Sequence, residues 1–406
     1  MRQWIYKALS AVIINQEYSN LYLRHHLHEC PKKDQALATR IFYGTLQNWI
    51  YCQKAWEIYA TKKPNKKIAL LLTMSSYQLL FLDKVPSYAI VNDAVQIAKK
   101  IQPSSKGFVN AILRKVKPLQ LDDSLSSLAI QYSLPEWLLR LWEKQYGYNQ
   151  AIENAKASLH ILPTYVRRNP LKVDKEVFLA NANIIESTQV LATYTGNDFS
   201  KDPFYLEGKM SAQDIGSYEI SQFMNVQKGE HILDCCAAPG TKSMAMAESV
   251  ADQAFFTCLD IHSHRVDLIS KDANRLGLHS IQTLQADAST VELNQQFDRI
   301  LCDVPCSGYG VLSRKPDIKL RMQSSDMDAL IPLQFSILEN VSKYLKQGGV
   351  LVYSTCTLNK KENEKQILAF LKNHPNFTLL EEKTLFPSKF NDGFYMAKIQ
   401  LNESLI

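Results

Sequence analysis

The chain has little that would tie it to a membrane, a metal or a disulfide framework. No run approaches the ~20 apolar residues of a spanning helix. The opening residues, MRQWIYKALSAVIINQEYSN, lack both a long apolar core and a small-residue cleavage site. The eight cysteines include no CxxC pair, so no zinc-ligand spacing is present. Scattered thiols of this kind are expected to stay reduced, which points to the cytoplasm. Glycine is scarce at the start: of fourteen, only Gly44 and Gly107 precede residue 141. Two phosphate signatures are missing as well, the GxGxxG of dinucleotide folds and the GK[ST] ending of a phosphate loop.

What is present is an ordinary soluble composition, 46% hydrophobic and 21% charged. At 406 residues, two or more domains are expected, given roughly 100 to 200 residues each. The charge is uneven. Residues 1–140 hold 19 Lys and Arg against 9 Asp and Glu, a net of +10, while the remainder holds 27 against 31. A basic module of this kind points to a polyanionic partner, nucleic acid above all, over a merely solvated surface. The same region repeats apolar residues at helical spacing, as in DQALATRIFYGTLQNWIYCQKAWEIYA and IALLLTMSSYQLLFL. Breaks fall at Pro64, Pro86 and Pro103. Residues 1–140 therefore read as an all-helical bundle, and 141–225 as a small mixed α+β segment. From 226 to 406 strands alternate with helices: HILDC, AFFTCLD, SIQTLQAD, DRILCDV and GVLVYSTC, with HRVDLISKDANRLGL and MDALIPLQFSILENVSKYLK among the helices. This rhythm predicts an α/β fold with a parallel, doubly wound sheet. FTLL and GFYMAKIQL are expected to form an antiparallel hairpin at one edge.

In such sheets chemistry gathers where strands end. The first strand runs into LDCCAAPGTKS (Leu233 to Ser243), where Gly240-Thr241-Lys242-Ser243 narrowly misses a phosphate loop. The second ends in Asp260 and the third in Asp287. Each aspartate alone reads equally well as a turn cap. Three motifs on successive strands instead describe a nucleoside cofactor without a pyrophosphate, S-adenosylmethionine. Two further strands each deliver a cysteine: DVPCSG places Cys306 three residues after Asp303, and YSTCT places Cys356. A glycine-rich strand end is a poor place for core filling, so both thiols are candidates for chemistry. Cys235, Cys236, Cys258 and Cys302 read mainly as core, and Cys30 and Cys52 as chemically silent.

CAAPGTK, the Asp260 strand end, Asp287, DVPCSG and YSTCT together resemble the NOL1/NOP2/Sun family of RNA cytosine-C5 methyltransferases. IVNDAVQIAK and GFVNAILRK resemble the helical NusB-like RNA-binding fold, and YVRRNPLK a small RNA-contacting subdomain. The resemblance implies a Rossmann-like seven-stranded methyltransferase domain behind an all-α NusB-like domain. It implies S-adenosylmethionine held by Cys236, Ala237, Ala238, Pro239, Gly240, Thr241 and Lys242, with Asp260, Arg265, Asp287 and Asp303. It assigns Cys356 to attack on cytosine C6, Cys306 to release, Asp303 to the N3 edge and Lys242 to the methyl-transfer site. It further implies 16S rRNA or a small-subunit assembly intermediate as substrate, acted on by a monomer without membrane contact. Two residues depart from the family pattern: Thr241, where a second glycine is usual, and Arg168, where an apolar residue is. Three other readings carry different tests: a non-catalytic RNA-binding assembly factor, a tRNA cytosine-C5 methyltransferase, and an exocyclic-amine methyltransferase. The last would carry Asn/Asp-Pro-Pro-aromatic where this chain has Asp-Val-Pro-Cys.

Overall fold

The glycine-poor first part folds as helices throughout. The structure, a computed structural model, describes residues 1–186, 191–196 and 198–403. It divides into two units, Met1–His160 with Leu312–Met322, and Ile161–Val311 with Gln323 onward.

The first unit contains α1 (Arg2–Ile13), α2 (Ser19–His26), α3 (Gln35–Gln47), α4 (Trp49–Glu57), α5 (Lys66–Phe81), α6 (Ser87–Ile101), α7 (Lys106–Leu113), α8 (Leu125–Gln131), α9 (Glu136–Tyr146) and α10 (Tyr148–Ala157). The three proline breaks hold: α5 starts one residue after the Pro64-Asn65 pair, α6 after Pro86, and Pro103 opens a short 3₁₀ turn. The long run from Asp34 to Ala60 is split in two at Asn48, whose side-chain amide donates to the Gly44 carbonyl at 3.0 Å. Gly44 is required where it stands, because a Cβ there would collide with the Tyr77 ring. Ile5, Leu9, Phe42, Trp56, Leu71 and Met74 fill the core, each large side chain contributing about 1.5–3 kcal/mol on burial. Trp56 keeps its indole N–H satisfied by Thr73 Oγ1 at 2.9 Å. The unit also takes in Leu312–Met322, whose Arg321 donates to the Gln16 carbonyl and whose Lys319 donates to the Gln47 carbonyl.

The second unit begins with a four-stranded antiparallel sheet, β1 (Thr164–Arg168), β2 (Ile184–Glu186), β3 (Leu191–Tyr194) and β4 (Met210–Ala212), in the order β2-β3-β1-β4. Helices α11 (Lys175–Leu179), α12 (Pro203–Leu206) and α13 (Ile215–Phe223) accompany it. There follow β5 (His231–Asp234), α14 (Thr241–Ser249), β6 (Phe255–Asp260), α15 (Ser263–Leu276), β7 (Ile281–Gln285), β8 (Phe297–Asp303), the first unit's α16 (Ile318–Arg321), α17 (Ser324–Ser342), β9 (Leu345–Thr355), α18 (Glu364–Asn373), β10 (Phe377–Leu385) and β11 (Phe394–Leu401). The seven strands run β10-β11-β9-β8-β5-β6-β7, parallel from β9 to β7, with β11 antiparallel to β9 and β10. This is the expected doubly wound sheet closed by its edge hairpin.

Several element boundaries differ from the sequence reading. The helix expected to reach Lys346 stops at Ser342, because Leu345 pairs with Phe297 and so begins β9. The third parallel strand stops at Gln285, leaving Asp287 in the turn beyond it rather than at its tip.

Candidate active site

Order in the parallel sheet brings together strand ends that lie far apart in the chain. β5 lies between β6 and β8, and β8 beside β9. The loop after β5, the tips of β6 and β8 and the residue following β9 therefore share one carboxyl edge. This is the crevice where open α/β sheets bind ligands.

The Cys236–Lys242 loop is tied down by its own backbone. Ala237 N donates to Leu259 O at 2.8 Å and Gly240 N to Ala237 O at 2.7 Å. Gly240 takes the positive φ, +102°, immediately before α14. Thr241 is then the first helical residue, so its β-branched side chain needs no glycine-like backbone. This accounts for the departure at that position. Arg168, the other departure, donates to the Val173 carbonyl at 2.6 Å. Its neighbour Arg167 forms a buried pair with Glu248 at 2.7 and 2.9 Å.

Asp260 ends β6 almost fully buried. One oxygen accepts from His262 N at 3.1 Å, and the other faces Arg265 Nη1 at 3.3 Å. Arg265 also donates to the Ala238 carbonyl at 3.0 Å, linking Asp260 to the loop. Asp287 accepts from Ser289 N and Oγ at 2.9 and 2.7 Å. Buried Asp234, donated to by Ser243 Oγ, is pushed up to about 6 by burial. Carboxylates around this edge would repel a pyrophosphate but suit ribose hydroxyls, an amino group and a sulfonium cation. The residues present fit S-adenosylmethionine.

Asp303 is held from two sides, by Lys242 Nζ at 2.6 Å and Ser354 Oγ at 2.7 Å. Burial works to lower the Lys242 ammonium, but the Asp303 charge and hydrogen bond, with Asp214 and Asp234 beyond, raise it above its usual range. Lys242 is thus a fixed cation beside Asp303. Cys306 and Cys356 meet with their sulfurs 3.4 Å apart, both half-buried and both free thiols. The hydrogen bond to Cys356, then burial, then the Cys356 and Glu362 charges push the Cys306 thiol well up, so it keeps its proton. A Cβ at Gly310 would strike the Gly393 and Cys356 backbones, and this close approach explains the glycine after the Pro-Cys motif.

The cysteines read as core are buried except Cys236. Cys258 and Cys302 are buried in the sheet, Cys235 is buried in the turn after β5, Cys30 and Cys52 are buried in the helical unit, and Cys236 is half-buried at the loop. Among the described residues no group of His, Cys, Asp and Glu could hold a metal. The sequence reading did not identify Ser354, Gln334 or Glu362 as parts of the site. The first stands inside YSTCT, and the last in the KENE that follows it, which was the available signal.

The fold and the strand-end site define a Rossmann-like, S-adenosylmethionine-dependent methyltransferase joined to a NusB-family helical domain. Residues 221–400 match the family described as 16S rRNA methyltransferase RsmB/F, and residues 1–118 match the NusB family. The probable ribosomal RNA small subunit methyltransferase B of Bacillus subtilis is 36% identical, covering 91% of this chain and 88% of that protein. The ribosomal RNA small subunit methyltransferase B of Serratia proteamaculans is 32% identical over 90% of each. Among solved structures, PH0851 matches with a TM-score of 0.83 at 21% identity, covering 97% of this chain and 98% of that one. NSun6 from Pyrococcus horikoshii with SFG gives 0.62 at 18%, over 66% and 99%. At these identities the structural likeness is one of fold. The chain belongs to the ribosomal RNA small subunit methyltransferase B family, and it is an RNA methyltransferase.

Removing the Asp260 carboxylate should weaken cofactor binding, because a hydrogen bond to a charged group is worth about 1.5–3 kcal/mol, roughly ten- to a hundred-fold in Kd. Calorimetric titration of folded Asp260→Ala checks this, and an unchanged Kd would remove Asp260 from the cofactor site.

Proposed function

We propose that the chain methylates C5 of a cytosine in 16S rRNA through a covalent Cys356–C6 intermediate, with Cys306 assisting release. The observation that carries this reading is the pair of strand-end thiols 3.4 Å apart beside the doubly held Asp303. Relatives named for the small ribosomal subunit support 16S rRNA as substrate.

Cytosine C5 is a poor nucleophile. Addition of the Cys356 thiolate at C6 breaks the ring's aromaticity and leaves an enamine that is nucleophilic at C5. Asp303, oriented by Lys242 and Ser354, meets the N3 edge and stabilises charge that develops as sulfur adds. The Cys236–Lys242 loop, Asp260, Arg265, Asp287 and Asp303 would hold S-adenosylmethionine, which when bound would supply an electrophilic methyl group. After methylation C5 loses its proton and the Cys356–C6 bond breaks by elimination. The basic first unit, net +10 over residues 1–140, supplies RNA affinity.

Bisulfite sequencing of ribosomal RNA from cells with and without the protein tests the reading. One 16S cytosine should lose protection in cells lacking the protein, and regain it with the wild type but not with Cys356→Ala. An unchanged 16S pattern would refute C5 methylation of this RNA.

A further inference from the structure

Beneath the two thiols lies a wholly buried carboxylate that the reaction above does not use. Glu362 accepts four hydrogen bonds from uncharged groups. Ser307 N and Gln334 Nε2 reach Oε2, each at 2.9 Å. Ser307 Oγ reaches Oε1 at 2.6 Å and Asn359 Nδ2 at 2.9 Å. Because the Ser307 hydroxyl donates to Glu362, the Thr357 hydroxyl, 2.7 Å away, must donate to Ser307, and Thr357 in turn accepts from Tyr309 N at 3.3 Å. Gln334 Nε2 also donates to the Pro305 carbonyl at 2.9 Å. The residues on either side of Cys306 are therefore both tied to one carboxylate and the amide bonded to it.

The two cysteines differ in what else holds them. Cys356 directly follows β9, whose last residues pair with Tyr395 and Met396 of β11 on one side and with Asp303 of β8 on the other. Cys306 stands beyond the end of β8, in a segment outside any strand. Backbone bonds from Val304 N to Ser354 O and from Gly310 N to Cys356 O bracket this segment, and within it the flanking Pro305 and Ser307 are tied to Gln334 and Glu362.

We propose that Glu362 is a positioning residue for the release step, holding Cys306 through Ser307, an inference that rests on the covalent mechanism above. In the free enzyme the Cys306 thiol keeps its proton beside Cys356. Once Cys356 becomes a thioether to C6, its hydrogen bond and charge no longer hold the Cys306 proton; burial and Glu362 still favour the thiol, and the thiolate forms when that proton passes to water. The Cys306 thiolate then takes the C5 proton. The C5–H electron pair forms the C5–C6 double bond, and the C6–S bond breaks with its pair leaving on Cys356. One methyl group is gained and one proton released. Transfer to Cys306 demands its sulfur at a fixed place over C5, whereas attack demands only Cys356.

The test is the lifetime of the protein–RNA adduct, read on denaturing gels alongside methyl transfer, in wild type, Glu362→Gln and Ser307→Ala. Glutamine has nearly the carboxylate's shape but turns one acceptor oxygen into a donor, and since each oxygen accepts two of the four bonds, two donors lose the acceptor they had. Glu362→Gln should still attack, with an adduct persisting roughly tenfold longer or more, about one hydrogen bond's worth. Ser307→Ala, a smaller change that folds if glutamine does not, should shift the lifetime in the same direction. A packing defect would lower attack and release together and leave the ratio of adduct to product unchanged. Cys306→Ala is the control. If it traps RNA while both Glu362→Gln and Ser307→Ala release at the wild-type rate, the positioning role is overturned. If Cys306→Ala traps nothing, the covalent reading has failed and this inference falls with it.

Discussion

Cys306→Ala is expected to accumulate a protein–RNA adduct that survives denaturing electrophoresis, while Cys356→Ala forms none. The reason is the division of labour that the proposed covalent mechanism gives to two thiols 3.4 Å apart. Without Cys356 there is no nucleophile for C6, and methyl transfer should fall by a factor on the order of 10⁴ or more, as when a covalent nucleophile is removed from other enzymes. Without Cys306, attack and methylation proceed but the C6–S bond persists. The adduct should therefore require both Cys356 and S-adenosylmethionine. Neither change should unfold the protein, since both side chains are half-buried and an ordinary point substitution costs about 0.5–3 kcal/mol. Trapping by Cys356→Ala and not by Cys306→Ala would reverse the roles. Two active variants without any adduct would refute the covalent mechanism.

Lys319→Met should stabilise the helical unit by about 2–4 kcal/mol at pH 6, with the gain shrinking toward pH 10. Lys319 is 2% exposed, and its ammonium donates to the Gln47 carbonyl at 2.6 Å. Burial lowers its pKa from 10.5 to about 7, with the nearby Cys52 acting in the opposite direction. In the unfolded chain the amine stays protonated up to its ordinary pKa. Between about pH 7 and 10.5 the unfolded state therefore binds more protons than the folded one, and wild-type stability rises with pH across that window. Below pH 7 both states are protonated and the folded protein bears the full cost of a buried ammonium. Methionine removes the ionisation and keeps an unbranched apolar stem one atom shorter than lysine's. All five tryptophans, Trp4, Trp49, Trp56, Trp137 and Trp142, lie in Met1–His160, so their fluorescence reports denaturation of this unit alone. A difference between variant and wild type that stays constant from pH 6 to 10 would show that Lys319 is not a buried charge.

The sequence by itself determined the parts whose cause is local. Apolar spacing and proline breaks are properties of neighbouring residues, so the helical bundle was legible, as was the alternation of strand and helix. The strand-end motifs were legible too: side chains that close a parallel strand face one edge whatever surrounds them, which marked Asp260, Asp303, Cys306 and Cys356. Asp287 was displaced from its strand tip because the end of pairing is set by β6, not by the residues of β7. Only the tertiary structure decided which strand ends meet. Lys242 and Asp303, 61 positions apart, touch because β8 lies beside β5. Glu362 reaches Ser307 across 55 positions for the same kind of reason. Nor could the sequence assign Leu312–Met322, lying between two elements of the methyltransferase sheet, to the helical unit. A lysine in such a stretch reads as solvated, and nothing in its neighbours announces burial. Its partners, Gln47 and Cys52, lie more than 260 residues earlier, and contacts at that distance are fixed by how the chain closes rather than by any local pattern.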